Sequence, residues 1–183
     1  MGSNPTFGTS RRTDPGLTAI LATMSLDPTG SLQAQFAPAG RCFGCGPANP
    51  AGLRIGSRPS AADPAILVAR FEPKAEHEAF AGVVNGGILG TLLDCHANWT
   101  AAWNLMGARG AGRPPTTVTL EYAIRMRRPT PSDRPVDLRA WVVELGEDRA
   151  TVDAEIASDG IVTATGRGTF VAVRPDHPAY DRW

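Results

Sequence analysis

Between Gly82 and Trp99 the chain reads Gly-Val-Val-Asn-Gly-Gly-Ile-Leu-Gly-Thr-Leu-Leu-Asp-Cys-His-Ala-Asn-Trp. Paired glycines ahead of an apolar run predict the start of a helix. Free amides and the positive end of the helix dipole gather there and suit a negatively charged oxygen. Asp94 lies further along, among Leu92, Leu93 and Cys95. A carboxylate in apolar company is costly unless it has a partner or a task. The two features together point to a carbonyl polarised at one place and attacked or hydrated at another.

Helical spacing sorts this stretch into two faces. Thr91, Asp94, Asn98 and Ala101 fall on a stripe of small or polar residues, while Leu89, Leu92, Leu93, Trp99, Trp103 and Met106 lie largely away from it as core. Asn85 suits the N-cap, and the amides of Gly86 and Gly87 then point outward. Nine positions separate Asn85 from Asp94, which is about 13 Å along a helix. An oxyanion donor and an attacking group must each lie about 3 Å from one reacting carbonyl. A single helix cannot supply both, so two antiparallel helices from two subunits are expected, with two equivalent sites at the dimer interface.

Other residues offer chemistry of their own. Cys42 and Cys45 form a Cys-x-x-Cys pair, but Cys95 is the one remaining thiol and no second Cys-x-x-Cys or His-x-x-x-His follows. Packing in a turn beneath the first strand is therefore expected, with no metal and no cofactor. Arg125, Arg127 and Arg128 gather before Pro129. They read either as a solvated strand end or as a phosphate clamp that Arg167 could join. Trp99 and Trp103 read as core or pocket wall, and His96 as a donor to a backbone carbonyl.

The elements that must position these groups follow from the rest of the chain. In 183 residues, 18 Lys and Arg balance 18 Asp and Glu. That gives no bulk attraction to nucleic acid or acidic membranes. No apolar run approaches the roughly 18 residues of a membrane span. With no signal-like start and three cysteines, a cytoplasmic protein is expected. Residues 1–40 read as a loosely ordered arm with a short helix around Leu17–Met24, and 41–183 as one domain. After a first strand beyond Leu53, a second is expected at Ala65–Phe71, then the helix at Gly86–Met106. Four strands follow at Thr116–Met126, Val136–Leu145, Arg149–Ala157 and Ile161–Val173, arranged as a meander. The fold class is α+β, one long helix wrapped by an antiparallel sheet.

Four segments carry a family resemblance: Cys42-Phe-Gly-Cys-Gly-Pro-Ala-Asn-Pro-Ala-Gly-Leu53, Val84-Asn-Gly-Gly-Ile-Leu-Gly-Thr-Leu-Leu-Asp94, Thr119-Leu-Glu-Tyr-Ala-Ile-Arg-Met-Arg-Arg-Pro129 and Gly166-Arg-Gly-Thr-Phe-Val-Ala-Val173. Over about residues 41–174 the chain resembles the hotdog-fold acyl-CoA thioesterases of the phenylacetate-pathway (PaaI) type. The resemblance implies a curved antiparallel sheet around a central helix, paired into homodimers and often homotetramers, with acyl-CoA as substrate.

By that resemblance Asp94 is the catalytic carboxylate, a general base or a nucleophile, and Gly86 polarises the thioester carbonyl with Gly87 beside it. Thr117 and Thr119 face the same way on their strand, where one could position water. Apart from the resemblance, Arg125, Arg127 and Arg128 would hold the coenzyme A phosphates if they form the clamp, since guanidinium groups match phosphate geometry. Asn85 stands where the family has histidine, keeping a cap and a donor but no titratable group. Two alternatives stay open beside hydrolysis: a non-catalytic acyl-thioester binder, or a hotdog hydratase or dehydratase.

Overall fold

The apolar run that opens at the paired glycines is one unbroken helix of 23 residues. In this computed structural model, residues 15–24 and 30–180 are described. In chain order the elements are α1 (Pro15–Ala22), α2 (Leu32–Phe36), β1 (Arg58–Pro59), β2 (Leu67–Phe71), a 3-10 turn (Ala75–His77), β3 (Glu78–Phe80), β4 (Val83–Val84), α3 (Gly86–Ala108), β5 (Thr117–Met126), β6 (Val136–Leu145), β7 (Arg149–Ser158) and β8 (Ile161–Ala172).

Asn85 caps α3 in extended conformation, its side chain accepting from the Gly87 amide. Gly110, at φ 58°, turns the chain away beyond its end. Sixteen of the 23 helical residues are buried. A surface helix buries one stripe, so α3 is central and covered on more than one side.

The principal sheet has six antiparallel strands in the order β1-β2-β6-β7-β8-β5. Strands β7 and β8 meet through Asp159 and Gly160, both at positive φ (49° and 76°), the tight hairpin turn that matches strand twist. The expected fold class holds, but the four-strand meander needs correction. Only β6, β7 and β8 run as a meander. β5 pairs with β8 at the far edge, and the second neighbour of β6 is β2. The segment between β5 and β6 carries the chain across the end of the sheet. There Arg127 N and Arg128 N donate to Thr163 O, and Thr130 Oγ1 donates to Thr163 Oγ1 at 2.8 Å. The short β3–β4 pair falls between the second expected strand and the helix, where no strand is expected.

Two apolar clusters hold the helix. Leu92, Leu93 and Ala97 meet Leu138, Val152, Ile156 and Phe170 from the sheet. Trp99, Trp103 and Met106 meet Leu21 and Leu32 from α1 and α2. A Cβ on Gly107 would stand 2.6 Å from Leu21 Cδ2, so α1 rests directly on backbone there. Within residues 1–40, the described parts of α1 and α2 are therefore packed against the body. Among the described residues, no helix is long and apolar enough to cross a membrane.

Candidate functional site

Helix α3 and strand β5 lie side by side and run in opposite directions. Thr117 Oγ1 donates to Asn98 Oδ1 at 2.6 Å, and Thr119 Oγ1 donates to Asp94 Oδ1 at 2.8 Å. Nearer the start of the helix, a Cβ on Gly90 would stand 3.0 Å from Ile124 Cδ1, and one on Gly86 3.6 Å from Met126 Cε. The small residues of α3 are what let β5 approach.

Asp94 is half-buried beside a cavity of about 260 Å³ that Asn98, Trp99, Thr117 and Thr119 also line. Burial raises its pKa above the ordinary carboxylate value, and the hydrogen bond from Thr119 acts in the opposite direction. A partly desolvated carboxylate held by one hydroxyl has a second oxygen available for a water proton. Thr117 and Thr119 share the cavity, but only Thr119 reaches the acid. Asn98 was visible in the sequence as a member of the polar stripe; its role as the partner of Thr117 was not.

The mouth of the helix differs from expectation in one respect. Asn85 Oδ1 accepts from Gly87 N at 2.7 Å, so the Gly87 amide is engaged by the cap and does not point outward to a ligand. The Gly86 amide has no such partner among the described residues. Asn85, Gly86 and Gly87 are all exposed. They stand on the same unbroken helix as Asp94, at the opposite end of the stretch facing β5.

Arg125, Arg127 and Arg128 are exposed at that same end, where β5 finishes, with Arg127 Nε donating to Thr165 Oγ1 at 3.3 Å. Arg167 does not join them. It forms a two-pronged pair with Asp153, at 2.5 and 2.7 Å. His96 is fully buried: Nδ1 lies 2.9 Å from Ser57 Oγ and Nε2 3.2 Å from Leu67 O, while Gln33 Nε2 donates to Ser57 Oγ at 3.0 Å. Burial holds its pKa down to about 4, so the ring is neutral, donating to Leu67 O through Nε2 and accepting from Ser57 through Nδ1. Trp103 is wholly buried with its indole N–H on Pro64 O at 2.8 Å, which makes it core and not pocket wall.

The structure brings a third thiol to the Cys-x-x-Cys pair, a meeting that spacing along the chain does not reveal. Sγ atoms of Cys42, Cys45 and Cys95 all lie within 4.8 Å of one another, on the wall of the Asp94 cavity. Hydrogen bonds from Cys45 and Cys95 make Cys42 the most acidic of the three, while those same bonds push Cys45 and Cys95 up.

Residues 81–165 match the sequence model of the thioesterase superfamily. Solved structures with this fold include a thioesterase superfamily protein at 22% identity and TM-score 0.59, over 72% of this chain and 63% of that one. The chain thus spans less than two thirds of that relative. A thioesterase superfamily protein from Shewanella loihica is 25% identical, with TM-score 0.54, over 66% of this chain and 91% of that one. The PaaI protein of the phenylacetic acid degradation operon of E. coli is 20% identical, with TM-score 0.54, over 67% and 81%. No curated protein matches at a significant level.

Proposed function

We propose that this chain is a hotdog-fold protein of the PaaI-like thioesterase superfamily, and that it hydrolyses an acyl-CoA thioester to free acid and coenzyme A at a site shared by two subunits. One observation carries the reading: Asp94, partly desolvated and held by Thr119, faces a cavity on the helix whose other end presents the Gly86 amide.

The acyl carbonyl oxygen takes the Gly86 N–H of one protomer. Asp94 of the other draws a proton from water, whose oxygen attacks the carbonyl carbon. The oxyanion collapses, the carbon–sulfur bond breaks, and the leaving coenzyme A thiolate takes the proton that Asp94 drew from water. The roughly 13 Å between Asn85 and Asp94 on one helix requires the second subunit. What supports pairing is β5, an edge strand with Leu120, Tyr122 and Met126 exposed. An apolar open edge of this kind is a template for a second chain. Pairs of dimers are a further step of the same proposal, and three free thiols fit a cytoplasmic location.

The test is free-thiol release from short, medium, long and aromatic acyl-CoAs by the wild type and Asp94→Asn. Hydrolysis by the wild type, reduced at least about 100-fold in a folded, dimeric variant, is the expected result. Binding of acyl-CoA without turnover on any substrate overturns hydrolysis and leaves a binding protein, with Asn85 at the mouth in place of the family's histidine.

A further inference from the structure

We propose that Cys42, Cys45 and Cys95 bind one zinc ion per chain as three thiolates, with water from the adjoining cavity as the fourth ligand. The inference rests on the packing of these residues and not on the thioesterase reading.

Cys42 and Cys45 project from one tight turn, closed by Gly46 N donating to Cys42 O at 2.8 Å. Cys95 reaches it from α3. Two glycines are required for this approach. A Cβ on Gly44 would stand 2.3 Å from Cys95 Sγ, and one on Gly46 2.4 Å from Cys42 N. The absent side chains bring sulfur onto sulfur.

Cys42 Sγ lies 3.7 Å from Cys95 Sγ. Thiolates about 2.3 Å from a tetrahedral zinc stand about 3.8 Å from one another, so this pair already has the spacing of a tetrahedral edge. With all three sulfurs inside 4.8 Å, the widest pair has at most about 1 Å to close. A disulfide requires about 2.05 Å between sulfurs and uses only two of them. Sulfur-rich sites select zinc among the common divalent cations.

The surroundings suit a bound ion. Trp99 Nε1 donates to Cys45 Sγ at 3.4 Å, the outer contact that orients a metal-bound thiolate. Cys42 is exposed, Cys45 half-buried and Cys95 buried, so an ion enters from the cavity side and rests against the core. Arg41 and Asp94 line the same cavity, and the open fourth position faces it. Binding displaces the thiol protons to solvent and ties the turn to α3 one residue beyond Asp94.

The experiment is a titration of the reduced, metal-stripped full-length protein with Co²⁺ and then Zn²⁺. One equivalent of Co²⁺ should give thiolate-to-metal charge transfer with tetrahedral ligand-field bands, both abolished by Zn²⁺. Competition with a chromophoric chelator should place the zinc Kd below about 1 µM. Cys42→Ser, at an exposed position, should weaken binding at least about 100-fold while the far-ultraviolet dichroism is unchanged. Cys45→Ser and Cys95→Ser should do the same, and Zn²⁺ should raise the Tm of the wild type alone. Three freely titrating thiols with no cobalt bands overturn the proposal. So does equal zinc affinity in wild type and Cys42→Ser, or a disulfide among these cysteines that survives under reductant and excludes the metal.

Discussion

Thr119 Oγ1 donates to Asp94 Oδ1 at 2.8 Å across the contact between β5 and α3. That hydroxyl is the one group holding the acid's pKa down against its burial. A carboxylate base works only when ionised, so the acid limb of kcat/KM should lie above the ordinary carboxylate range near 3.8. Thr119→Val removes the opposing effect. The limb should then move to higher pH, and turnover below neutrality should fall further than turnover at pH 8. An unmoved limb in the variant would separate Thr119 from the chemistry.

Arg125, Arg127 and Arg128 stand exposed at the helix-mouth end of β5, some distance from Asp94. If they hold coenzyme A phosphates, Arg125→Ala and Arg128→Ala should raise KM several-fold with little change in kcat. The KM of the wild type should also rise with salt, since exposed charge contacts are screened over about 10 Å at 0.1 M. Steady-state kinetics at two ionic strengths decide it. A salt-independent KM, unaltered by either substitution, returns the arginines to a solvated strand end.

His96 ordinarily titrates near 6.5, and burial holds it down to about 4. The fold accommodates the neutral ring, so its contribution to stability is complete above about pH 6.5. It is lost as pH falls toward 4, by about 3 kcal/mol in all. Asp94 acts in the opposite sense: its pKa is raised, so its contribution is present at low pH and lost as pH rises above 3.8. Urea unfolding at pH 7 and pH 4.5 should show a steep loss in the wild type and a shallower one in His96→Gln. Equal slopes in the two proteins would contradict a buried neutral histidine.

Gly44→Ala places a methyl group 2.3 Å from Cys95 Sγ and 2.8 Å from Thr91 Cγ2. Cys95 and Thr91 must shift to admit it, so a destabilisation of about 1–3 kcal/mol is expected from thermal or urea melts. Gly112→Ala is the control, because a Cβ there meets nothing within 4 Å. Comparable losses in both would mean that the cost is general to glycine and not to this contact.

Much of this architecture is legible in the sequence because it is local. Asn85-Gly86-Gly87 announces the start of α3, and β6 runs over Val136–Leu145 as its β-rich composition predicts. The position of β5 beside β8 is not local. It depends on which strand edge the chain meets after crossing the sheet, and short spacers alone cannot choose. The cysteine cluster was hidden for a related reason. Cys42 and Cys95 lie 53 positions apart and meet only because Gly44 has no side chain. Asp94 was conspicuous as an acid among leucines, whereas the loss of the Gly87 amide to Asn85 needed atomic geometry.

Gln33, Ser57, His96 and Leu67 are joined by an unbroken relay of hydrogen bonds from α2 through the central helix to β2. Every link is sealed from water, so no link can open alone without stranding its neighbours. The release of α2 and the melting of the middle of the chain are therefore one cooperative event. Amide protons around Gln33 should exchange on the timescale of those in α3, and a protease should cut within α2 only in molecules that have already come apart.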